Sequence, residues 1–161
     1  MSPPAVVALD CMGGDHGPRE AVAAAAELSL SRSDIELILV GDVAVLGALL
    51  DELPYDPARL QLRHAPHHVD PSEDPRRALD ERPGASILVA CDLVAEGRAS
   101  AVVTAGSTGA AIIAAARRLG RIPGVRRAAL AAVTPTERPH GPLADPFALL
   151  LDVGATLDAS A

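Results

Sequence analysis

The chain has 161 residues, the size of one ordinary domain, and is 49% hydrophobic but only 1% aromatic. Its formal net charge is −7, and all fourteen basic residues are arginine. The lack of lysine excludes a Walker A loop, a pyridoxal phosphate Schiff base and the strand lysine of protein kinases, while the acidic balance and scarce aromatics argue against nucleic-acid binding.

With so few rings, Ala, Val, Leu and Ile must build the core, which suits helices packed on a buried parallel sheet. A strand is predicted over 6–9 (Val6-Val7-Ala8-Leu9). It runs into the turn Asp10-Cys11-Met12-Gly13-Gly14-Asp15-His16-Gly17-Pro18, and a helix follows over 19–31. A second strand is predicted over 35–40, closed by Gly41-Asp42, then a helix over 43–53 stopped by Pro54. A short third strand covers 60–64, and the polar, proline-rich stretch 65–75 reads as a loop. Ser86 is placed as the N-cap of a helix reaching Glu96 and ended by Gly97. The fourth strand, 101–104, enters Ala105-Gly106-Ser107-Thr108-Gly109, which opens a helix over 110–119. Two more strands are predicted over 128–133 and 148–152, with a flexible loop or hairpin over 135–146. Alternating strands and helices imply βαβ units and a parallel α/β sheet, whose ligands bind beyond the carboxyl ends of the strands.

Both glycine turns lie at that edge, as does Asp152-Val153-Gly154. Paired glycines let backbone approach a ligand closely, and each helix behind directs free N–H groups and a positive dipole end at the turn. Gly13, Gly14, Gly106, Ser107, Thr108, Gly109, Asp152 and Gly154 are therefore candidate phosphate or substrate contacts. The residues alone leave open whether Ser107 or Thr108 binds an anion or merely caps its helix. Asp10 and Asp15 add carboxylates to the rim and are the candidate catalytic groups, which points to chemistry rather than anion storage. Cys11 reads as a small packing residue rather than a reactive thiol, and two distant cysteines suggest neither a disulfide nor a zinc site. His64, His67 and His68, near Asp70 and Glu73, match no metal spacing, so no metal is expected. No Gly-x-Ser-x-Gly elbow is present, so in an acyl transfer the nucleophile would belong to the substrate. Arg117, Arg118, Arg121, Arg126 and Arg127 crowd a helix end and the loop beyond. They read either as a solvated, dipole-favoured end or as a docking patch for an acidic partner. No run is long enough to cross a bilayer, and no leader with a cleavage site is seen, so a cytoplasmic protein is expected. Leu149-Leu150-Leu151-Asp152-Val153-Gly154-Ala155 reads as a strand entering another glycine turn without a covering helix, as expected of the first part of a longer fold.

Ala8-Leu9-Asp10-Cys11-Met12-Gly13-Gly14-Asp15-His16-Gly17-Pro18 resembles the N-terminal signature of the bacterial phosphate acyltransferases of phospholipid synthesis, the PlsX family. The resemblance continues through Glu73-Asp74-Pro75, Leu93-Val94-Ala95-Glu96-Gly97-Arg98-Ala99, Ala105-Gly106-Ser107-Thr108-Gly109-Ala110, Leu119-Gly120-Arg121-Ile122-Pro123-Gly124 and Leu150-Leu151-Asp152-Val153-Gly154-Ala155. It implies a three-layer α/β/α, isocitrate dehydrogenase-like fold with a mostly parallel sheet, of which 1–161 would be the N-terminal part. The implied reaction converts acyl-[acyl carrier protein] and inorganic phosphate to acyl phosphate, without cofactor. The implied partners are acyl carrier protein, met by the arginine run, and a second copy in a homodimer. Peripheral membrane contact would come through the half not present here. Ser107 and Thr156 stand at usual Asn positions, Arg82 at a usual Lys and Ala85 at a usual Ser. Two rival readings are an inactive or ligand-binding-only fragment, and a phosphate acetyltransferase-like enzyme using acyl-CoA. The missing Gly-x-Gly-x-x-Gly counts against a dinucleotide.

Overall fold

The computed structural model describes residues 3–125, 130–136 and 147–151. The chain divides into two compact units, Met1–Gly120 and Arg121–Ala161.

In the first unit the order is β1 (Ala5–Asp10), α1 (Pro18–Ser31), β2 (Ile35–Gly41), α2 (Val43–Leu50), β3 (Leu60–His64), α3 (Pro75–Glu81), α4 (Ser86–Ala95), β4 (Ala101–Thr104) and α5 (Thr108–Arg118). The four strands pair in parallel, in the order β3-β2-β1-β4. Strand β2 shows why its sequence is apolar throughout rather than alternating. Leu37 and Leu39 pack with Val22, Ala25 and Leu46 of α1 and α2, whereas Ile38 and Val40 pack with Ala90 and Leu93 of α4. Helices thus pack on both faces of the sheet at β2, giving the expected three-layer arrangement.

Local chemistry sets most helix ends. The Asp42 carboxylate accepts the Ala44 N–H at 2.9 Å to start α2. Gly17 holds φ at 73°, where a side chain would be strained, and Pro18 takes the first helical position of α1. The helix predicted over 43–53 stops earlier, at Leu50, because the chain tightens into a turn with Leu53 N–H on the Leu50 carbonyl before Pro54. Helix α3 was not predicted; Asp74 caps it by accepting the Arg77 N–H at 2.8 Å, and Pro75 opens it. Ser86 is the first residue of α4 rather than its cap, which is Ala85. Its Oγ is buried with no hydrogen-bond partner among the described residues.

In the second unit β5 (Ala131–Pro135) and β6 (Phe147–Leu151) pair antiparallel. They form a two-stranded ribbon, and most of the segment predicted as a flexible loop or hairpin, 137–146, lies outside the described residues.

Candidate functional site

Strand β1 connects outward through β2 to β3, and the chain then returns to place β4 on the other side of β1. The carboxyl ends of β1 and β4 therefore flank a topological switch point, where open parallel sheets form a ligand crevice. Each strand runs there into one of the two glycine turns. The register sets Asp10 opposite Thr104. Thr104 Oγ1 donates to Asp10 Oδ2 at 2.9 Å, and the Met12 N–H donates to Asp10 Oδ1 at 3.2 Å. The Gly106 N–H in turn donates to Thr104 Oγ1 at 3.0 Å. Asp10 is 5% exposed, and these donors supply what a desolvated carboxylate needs. One carboxylate and one hydroxyl thus join both turns.

The turns also touch directly. A Cβ on Gly106 would lie 3.0 Å from Gly13 Cα and from Gly13 O, both backbone atoms that cannot swing away. A Cβ on Gly13 would lie 3.1 Å from Gly106 Cα. Glycine is required here by approach rather than by backbone angle. Gly14 is less constrained, with a Cβ 3.6 Å from that of Ala105. Gly109 packs against Pro75, whose Cγ would sit 3.0 Å from an added Cβ, so α3 braces the second turn.

The predicted site residues fall into distinct positions. Asp10, Gly13, Gly14, Gly106 and Ser107 come together at this edge. Ser107 is the N-cap of α5, its Oγ accepting the Ala110 N–H at 3.3 Å, which realises the capping role that the sequence left open. Thr108 is exposed in the first turn of α5, and Asp15 is exposed beside the first glycine turn. Cys11 is buried among Val22, Ala25 and Leu39. Burial, and secondarily the Asp10 charge, pushes its thiol up to about 12, as befits a packing residue. Arg117 pairs with Asp80 at 2.7 Å and Arg118 with Asp92 at 3.0 Å, so both have partners within the first unit. Arg121 belongs to the second unit. Arg126, Arg127, Asp152 and Gly154 lie outside the described residues.

Sequence reasoning missed Thr104, which reads only as a β-branched strand residue. The available signal was its place, last in a strand and two residues before a glycine whose N–H needs an acceptor. It also missed the clamp beneath α3, where Arg82 donates from Nη1 to Glu73 Oε2 at 2.7 Å and to the His68 carbonyl at 2.9 Å. The Arg82 hydrogen bonds hold the Glu73 carboxyl down at about 2.

A cavity of about 420 Å³ opens beside the first glycine turn. Gly14, Asp15, His16 and Thr104 line it with polar groups, and Leu9, Leu28 and Val103 add apolar lining. No helix among the described residues is long and apolar enough to cross a membrane.

The family described as "Fatty acid synthesis protein" matches residues 5–161. The phosphate acyltransferase of Thermosynechococcus vestitus is 46% identical over 153 residues, covering 94% of this chain and 42% of the relative. That of Oleidesulfovibrio alaskensis is 42% identical, covering 95% and 42% respectively. That of Pseudomonas aeruginosa is 41% identical, covering 100% and 46%. The chain thus spans less than half the length of these curated relatives. With its match from residue 5 to 161 and the two glycine turns set at one sheet edge, the chain belongs to the fatty acid synthesis protein family.

Proposed function

We propose that this chain carries the phosphate-handling part of a cytoplasmic phosphate acyltransferase that forms acyl phosphate from an acyl-[acyl carrier protein] thioester for phospholipid synthesis. The observation carrying the reading is the junction of the two glycine turns through Asp10, Thr104 and Gly106, in a chain whose relatives bear the name phosphate acyltransferase. In the reaction, a phosphate oxygen attacks the thioester carbonyl carbon, the C–S bond breaks, and the carrier thiolate takes up a proton. No protein nucleophile is required. Backbone N–H groups of the turns, with the Ser107 and Thr108 hydroxyls, would hold phosphate and the oxyanion that develops on the carbonyl.

The two aspartates take different parts. Both Asp10 oxygens already accept hydrogen bonds, so Asp10 is a positioning residue that locks one turn to the other. Asp15 is exposed in the lining of the cavity and is the proton-handling group. The arginine run is assigned to the acidic carrier protein, with Arg117 and Arg118 exchanging internal partners for carrier carboxylates. A homodimer is the expected assembly.

The test is phosphate-dependent release of carrier-protein thiol, compared with Asp15→Asn. The reading predicts release only with phosphate present and a loss of about 10²–10⁴ in the variant. Release that needs no phosphate would mark a thioesterase and overturn it.

A further inference from the structure

We propose that the cavity between α1 and the β1–β4 edge is the subsite for the acyl tail of the thioester. This inference rests on the acyltransferase reading and deepens it by placing the apolar half of the substrate. The cavity is mixed as a long-chain thioester is. Its polar lining is formed by residues of the two turns, where the carbonyl would react. Its apolar lining comes from Leu9 and Leu37 of the sheet, Leu28 of α1 and Val103 of β4, with Leu28 farthest along α1 from the turn. Val103 is 50% exposed, and Ala101 and Ala105 on the same side of β4 are exposed as well. From Ala21 to Leu28 the lining of α1 runs about 10 Å away from the glycine turn. The volume lies within the ~300–1,000 Å³ range of small-molecule sites. Continuity with the reacting end favours a substrate tail over a polypeptide as the occupant. A tail anchored at the turns enters the groove without leaving the site. Asp15 and Glu20 in the lining favour an uncharged thioester over a free carboxylate.

The experiment measures binding of acyl-pantetheine thioesters of 4–12 carbons to the purified chain, without phosphate or carrier protein. Ala24→Leu narrows the groove from an exposed helix position, and Val103→Asp places a charge on its floor. Leu30→Ala, on the same helix at a residue 58% exposed and outside the groove, is the control. Circular dichroism verifies that each variant is folded. Affinity should rise about fourfold per methylene until the tail outgrows the groove. Ala24→Leu and Val103→Asp should each weaken dodecanoyl binding at least tenfold, and Leu30→Ala should leave it unchanged. Affinity independent of length, or the same length dependence in Ala24→Leu and Val103→Asp as in the parent, would overturn the inference. So would self-association that Val103→Asp abolishes and thioester does not compete, which would make the face a polypeptide interface. Length-dependent binding lost in the variants, with no acyl phosphate formed by this chain or by one extended to its relatives' length once phosphate is added, would fail the acyltransferase reading alone. Acyl phosphate formation with an unaltered chain-length profile in Ala24→Leu would fail the groove alone.

Discussion

Thr104 Oγ1 stands 2.9 Å from Asp10 Oδ2, a hydrogen bond between register partners 94 positions apart in the chain. Because the same hydroxyl accepts the Gly106 N–H, it serves both turns at once. Thr104→Val keeps the shape and removes both interactions. It leaves one oxygen of a buried carboxylate and one backbone donor unpartnered, so a loss of about 2–4 kcal/mol is expected. Urea denaturation of parent and variant measures it; a midpoint within error of the parent would show that the turns are held by something else.

The contact between the glycine turns makes a paired prediction. Gly106→Ala forces a Cβ to within 3.0 Å of Gly13 backbone, whereas Gly14→Ala meets only an ordinary contact at 3.6 Å. Gly106→Ala should cost about 1–3 kcal/mol through overpacking, and Gly14→Ala less than about 1 kcal/mol. Thermal unfolding of the two side by side gives the order, and equal losses would contradict the close approach.

Ser86 Oγ is 1% exposed as a residue and has no partner among the described residues. Removing an unsatisfied buried hydroxyl removes its desolvation penalty, so Ser86→Ala should stabilise the chain by about 1 kcal/mol. A destabilisation in the same denaturation assay would reveal a partner for this hydroxyl.

The Glu73–Arg82 clamp sets a pH window. Arg82 lowers the folded carboxyl from its ordinary 4.5 to about 2. A depressed folded value means that the unfolded chain takes up the proton first as pH falls. The contribution is therefore complete above about pH 4.5 and is lost as pH falls toward 2. Thermal midpoints of the parent and Glu73→Gln should differ most at pH 6 and converge near pH 2. A gap that widens on acidification would contradict the clamp.

Much of this architecture was legible because apolar runs and turn residues agree locally. The apolar runs at 35–40 and 101–104 read as strands once helices flank them, and Gly13-Gly14 after the end of β1 reads as a turn. What stayed hidden is non-local. Helix α3 is short and charged, so no apolar face announced it; its Asp74-Pro75 start was the sole cue. The bond from Thr104 to Asp10 depends on β4 crossing back beside β1, and strand order is not written in either segment. The contact of Gly13 with Gly106 follows from the same crossing. Ser107 shows the converse limit, since capping and anion binding require the same residue type at the same place and only geometry reveals the cap.

The most direct test of the account is incorporation of labelled inorganic phosphate into acyl phosphate from an acyl carrier protein thioester. It should be run on this chain and on a chimera continuing it with the remainder of the Thermosynechococcus vestitus relative. The account predicts labelled acyl phosphate from at least one of them, and its loss by at least a hundredfold when Gly106→Ala separates the two turns. No product from either protein, with both shown to be folded, would contradict the assignment of these turns to phosphate transfer.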